Sequence, residues 1–82
     1  MSKVKLTRIQ HLEENGDHYI LDCTTGEWIN PVSENPHDAF VAVCNAGGMG
    51  MCDNVETLDE GEDADSFWPN ANAVEERTVE VG

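Results

Sequence analysis

Positive charge is almost missing from this chain of 82 residues. Lys3, Lys5 and Arg8 fall within the first eight positions, Arg77 is the one cation after them, and all 17 Asp and Glu follow Leu12, giving a formal net charge of −13. A basic nucleic-acid-binding surface is thereby excluded, because such surfaces need clustered Lys and Arg to displace counterions. Long apolar runs are missing as well. The longest is the six residues from Ala39 to Cys44, against roughly 20 for a membrane span. Leu, Ile, Val and Phe number only 17 of 82, just above the fraction of about 20% below which a highly charged chain stays disordered. A folded domain with a thin core is expected. At this length folding hides only about 60–65% of the extended chain's surface, so residues 1–82 are read as a single domain with no room for a separate cofactor domain. Met1 is followed by polar residues and short alternation, without the basic stretch and continuous apolar segment of a secretory signal. With three cysteines, an odd number, a reduced cytoplasmic setting is expected over a disulfide scaffold.

Patterns that carry chemistry are also absent. Cys23, Cys44 and Cys52 with His11, His18 and His37 offer soft donors, but there is no C-x-x-C pair, and Cys44 and Cys52 are eight positions apart across a glycine loop. Structural zinc sites use closer pairs; buried free thiols and no metal are expected. An EF-hand loop starting at Asp63 needs Gly at its sixth position and Glu at its twelfth, where Trp68 and Val74 stand. Gly47-Gly48-Met49-Gly50 lacks the lysine and the Ser or Thr of a P-loop. Carboxylates abound, yet a 9.0 kDa chain of this charge encloses little volume in which to tune an acid and base pair. No cofactor and no enzymatic activity are expected.

What the sequence does have is concentrated acid. Asp53, Glu56, Asp59, Glu60, Glu62, Asp63 and Asp65 fall within thirteen positions with no base among them, so this segment must be exposed. Solubility alone is met by a net charge of magnitude about 2–8, and charge beyond that costs stability through self-repulsion. A compact domain of this length is roughly 30 Å across, and 30 Å of duplex DNA carries about 18 phosphates. In size, charge and acidic block the chain resembles the small, strongly acidic phage-encoded proteins that act as DNA mimics, anti-CRISPR proteins in particular and restriction inhibitors with them. The resemblance implies an inhibitor in the cytoplasm of an infected host cell, one that occupies the DNA- or RNA-binding surface of a defence complex such as a CRISPR effector and binds no nucleic acid itself. On this reading the seven carboxylates meet Lys and Arg of the partner. Phe67-Trp68, directly after the block, supply an aromatic anchor in the interface or equally a pin that fastens the loop to the fold. A small acidic adaptor, or a halophilic protein with an adapted surface, is the alternative that charge alone admits.

Local patterns give the elements. Lys3 to Leu12 begins in alternation and then shifts phase, so that Ile9 and Leu12 break parity; a strand with a bulge reconciles this, although Leu6, Ile9 and Leu12 also fit helical spacing. Asn15-Gly16 followed by His18 to Cys23 is a hairpin signal, since both central turn residues must accept φ > 0. Thr24-Thr25-Gly26 makes a second turn before a short strand, Glu27 to Ile29, halted by Pro31. Asn35-Pro36 starts a helix with Phe40, Val43 and Cys44 on one face and a glycine stop after Asn45; a buried strand over Ala39 to Cys44 competes with it. Trp28 and Phe40 are read as core. Val74 to Val81 alternates as an edge strand. The expected class is α+β: an antiparallel sheet of three or four strands, one short helix on its apolar face, and a long acidic loop.

Overall fold

In the computed structural model, which describes residues 5–32, 34–50, 52 and 54–81, the chain runs β1 (Leu6–Glu14), β2 (Asp17–Asp22), β3 (Glu27–Ile29), α1 (Pro36–Ala46), β4 (Glu56–Thr57), α2 (Ala64–Phe67) and β5 (Asn72–Glu80). The five strands form one antiparallel sheet in the order β4-β3-β2-β1-β5. The class is the α+β expected, with slightly more strands and a second helix. Both additions lie inside the acidic segment. β4 is two residues long and α2 a single capped turn, too short for any periodicity to announce them.

Asn15 and Gly16 adopt φ of 53° and 88°, which two-residue hairpin turns demand. They set an uninterrupted β1–β2 register from Ile9 opposite Asp22 to Glu14 opposite Asp17. The phase change in β1 has a different cause from the one expected. Thr7, Ile9 and His11 are buried on one face of the sheet and Leu12 on the other, because both faces are covered. A register shift is present between His11 and Leu12, but it lies against β5. There His11 pairs with Glu75 and Leu12 with Ala73, leaving Val74 as the extra residue of a bulge.

Helix α1 covers the first face. The Asn35 side chain accepts from the backbone N–H groups of His37 and Asp38 at 2.9 and 3.3 Å, Pro36 occupies the first turn, and Gly47 closes the helix at φ 76° with its N–H on the Cys44 carbonyl. Ala39, Phe40, Val43 and Cys44 pack on Ile9 and Ile20. Fully burying side chains such as Phe40 and Val43 is worth about 1.5–3 kcal/mol each, which decides the helix over a strand. The second face is covered by the segment containing α2: Leu12 and Leu21 lie under Trp68, with Tyr19, Trp28, Leu58, Ala64 and Ala71 around them. β5 is an edge strand, bonded to β1 alone. Among the described residues no helix is long and apolar enough to cross a membrane.

Candidate functional site

The acidic segment is fastened down by its few apolar residues. β4 pairs with β3, Thr57 opposite Glu27 and Glu56 opposite Trp28. The Leu58 N–H then donates to the Gly26 carbonyl at 2.9 Å. Gly26 sits at φ 78°, where a Cβ would come 3.5 Å from that of Leu58, so a glycine both makes the turn and admits the loop. Leu58 and Ala64 face the sheet, while Asp59, Glu60, Glu62, Asp63 and Asp65 are exposed. Composition alone explains the arrangement: each apolar side chain finds the sheet and each carboxylate finds water.

Local hydrogen bonds shape the loop. Glu62 N–H donates to the Asp59 carbonyl at 2.9 Å, and the Glu62 side chain accepts from Asp59 N–H at 3.0 Å. Asp63 caps α2, accepting from Ser66 N–H at 2.8 Å while the Ser66 hydroxyl receives the Asp63 N–H at 3.1 Å. The Ser66 backbone and hydroxyl bonds hold the Asp63 carboxyl below its ordinary value. None of the loop carboxylates takes part in an ion pair among the described residues.

A cleft of about 540 Å³ separates the loop from Arg8, Gln10 and the Cys23–Gly26 turn. Arg8 crosses to Glu76 at 3.6 Å, and Gln10 donates to the same carboxylate at 3.0 Å. Arg8 is a cation at any ordinary pH, and the neighbouring Cys23 and the Glu76 charge raise its guanidinium further. Strand parity places further acid on this side. Residues opposite one another share a face, so Glu14 and Asp17 lie with Leu12 and Leu21, as do Glu76 and Glu80 through the β1–β5 register. The other face holds less free acid: Asp22 is buried under bonds from Thr7, Thr24 and Thr25, Glu75 is engaged by two histidines, and Glu13, Glu27, Glu34 and Asp38 are spread along its strands and around α1.

Of the nine residues the sequence singled out, Glu56, Asp59, Glu60, Glu62, Asp63 and Asp65 are brought together and exposed; Asp53 lies outside the described residues. The aromatic pair divides. Phe67 is 41% exposed beside the block, whereas Trp68 is 4% exposed, with ring centroids 4.9 Å from Tyr19 and 5.2 Å from Trp28. Trp68 is therefore a pin of the fold, not a contact surface, because its indole is already covered. Glu14, Asp17, Glu76 and Glu80 were missed, since their common face is visible only once the strand registers are known; the parity of β1 was the available signal. Among the described residues no group of three or more His, Cys, Asp or Glu is placed to hold a metal ion. Cys23 and Cys44 are free thiols, and burial pushes the Cys44 thiol upward. Comparison with protein-family models, curated proteins and solved structures finds no match to the chain.

Proposed function

We propose that this protein is an acidic nucleic-acid mimic, an inhibitor that presents its carboxylates as surrogate phosphates to the DNA- or RNA-binding surface of a host defence complex, in the first place a CRISPR effector. The observation that carries the proposal is the close set of six exposed carboxylates, Glu56, Asp59, Glu60, Glu62, Asp63 and Asp65, none of them in an ion pair among the described residues, on the α2 side of the sheet. Nothing in a lone fold requires such an array, and each unpaired carboxylate raises the self-repulsion of the domain. A partner carrying Lys and Arg in a groove removes that penalty on binding and adds charge-assisted hydrogen bonds. Phe67, exposed at the end of the block, supplies apolar contact beside the charge. The mechanism is competition: the partner's channel cannot hold this loop and a polynucleotide together.

The spacing of charge supports a particular target. The described residues extend 45 × 29 × 21 Å, longer in one direction than the roughly 30 Å expected of a compact sphere. Over 45 Å a duplex presents about 26 phosphates and one of its strands about 13. The whole chain's net charge of −13, only part of which lies on the α2 side, is nearer to the charge of a single strand, such as a guide or displaced strand, than to that of a duplex. The test is a panel of purified CRISPR effector complexes assayed for target binding with and without the protein, beside the variant carrying Asp59→Asn, Glu60→Gln and Asp63→Asn. The wild-type protein is expected to block at least one complex and the variant to leave it active. Equal inhibition by both, or none across complexes with basic channels, overturns the proposal.

A further inference from the structure

The three histidines of the chain join one network, two of them on the Glu75 carboxylate and the third through His11. His18 Nδ1 on β2 lies 2.8 Å from His11 Nε2 on β1, His11 Nδ1 lies 2.9 Å from Glu75 Oε2 on β5, and His37 Nδ1 on α1 lies 3.0 Å from both Glu75 oxygens. The mimicry proposed above makes no use of this network, which sits on the opposite face of the sheet, beside Phe40. His11 is 3% exposed, while the His37 side chain is 61% exposed.

Counting protons fixes the tautomers. An ionised carboxylate only accepts, so His11 and His37 must each carry a proton on Nδ1. Neutral His11 then presents the lone pair of Nε2, and His18 must donate to it from its own Nδ1. One added proton is accommodated on the outer Nε2 of His18 with every bond kept. A second would place N–H against N–H at 2.8 Å, and that contact cannot hold.

The surroundings offer no acceptor that would let both charged rings keep their mutual contact. Glu13 stands opposite His18 in register, Arg77 follows Glu75 along the same face of β5, the Cys44 thiol faces both from α1, and Asp38 is in the first turn of α1 beside His37. Asp22, at the far end of β2, is already closed by Thr7, Thr24 and Thr25. Glu13 is thus the carboxylate toward which a charged His18 would turn.

We infer that His11 and His18 form a proton-operated latch: the two rings hold the end of the β1–β2 hairpin together while they share at most one added proton, and His18 swings off His11 when both rings are charged. Acidification, by adding the second proton, opens the latch, and neutralisation closes it.

Histidine ring nitrogen spectra on the full chain test this directly. At about pH 8 His11 is expected in the Nδ1–H form with a cross-peak between the His11 and His18 rings, whose centroids are 5.0 Å apart; at about pH 5 that cross-peak disappears. Amide protection across Leu12 to Asp17 should fall by roughly tenfold over the same interval, the equivalent of one charge-assisted hydrogen bond. His18→Phe keeps an aromatic ring but no proton, and should hold its protection within about twofold. A His11 carrying its proton on Nε2, an inter-ring cross-peak that survives at about pH 5, or an equal fall in protection in both proteins overturns the inference. Because the readouts are confined to the hairpin, they are independent of whether the acidic loop binds a partner.

Discussion

Asp63 serves both the fold and the charge of the loop, and the two roles can be separated. Its carboxylate caps α2 by accepting from Ser66, and Asn caps as well as Asp. Asp63→Asn should therefore keep the melting temperature close to wild type while removing one charge, whereas Asp63→Ala should lower it; thermal denaturation of the two variants distinguishes them. Glu75 is governed by linkage. Burial pushes its carboxyl upward, but the bonds and charges of His11 and His37 outweigh that and hold it below its ordinary 4.5. A carboxyl depressed on folding adds stability above its unfolded value and loses that stability as pH falls through the folded one. Stability should thus decline below about pH 4.5, in part through this group. Glu75→Gln, which cannot ionise, should be less stable near neutrality and show a shallower acid limb in denaturant midpoints measured against pH.

At the scale of elements, Trp68 is the residue on which the position of the acidic loop depends. It joins Tyr19, Trp28 and Phe67 in one aromatic cluster, and truncating a buried Trp costs about 3–5 kcal/mol out of a total that for small domains is about 5–15. Trp68→Ala should detach the loop or unfold the domain, read as a large drop in the denaturation midpoint and loss of near-ultraviolet aromatic signal. Gly16→Ala places a Cβ at φ 88° in otherwise open space; the left-handed backbone costs about 1–2 kcal/mol, with no packing change to confuse the measurement. The hairpin and α1 were legible in the sequence because their signals are local: Asn15-Gly16 for the turn, Asn35-Pro36 and Gly47 for the caps. β4 and α2 were not. Glu56 and Thr57 form a strand only because β3 offers them an edge, and Phe67-Trp68 could not be divided into exposed and buried members without knowing which ring meets Tyr19. The sharing of one face by Glu14, Asp17, Glu76 and Glu80 is likewise a property of registers between distant segments.

Across the whole molecule, the two faces of the sheet are chemically unlike. One is closed by α1 over Ile9, Ile20 and Phe40, with Asp22 and Glu75 bonded and Glu13, Glu27, Glu34 and Asp38 dispersed around it, and the other is roofed by a segment whose apolar residues point inward and whose carboxylates are exposed and closely spaced. On the proposed function, the carboxylates of the α2 side are the surface that a basic nucleic-acid-binding partner grips. The most direct measurement is the affinity for a captured basic partner as salt is raised from about 50 to about 200 mM. Six ion contacts, the number of described loop carboxylates singled out from the sequence, should weaken binding by about 10³-fold along a straight log–log line, with added duplex or single-stranded nucleic acid displacing the protein. An affinity that is flat across this range, or a complex that nucleic acid cannot displace, would contradict it.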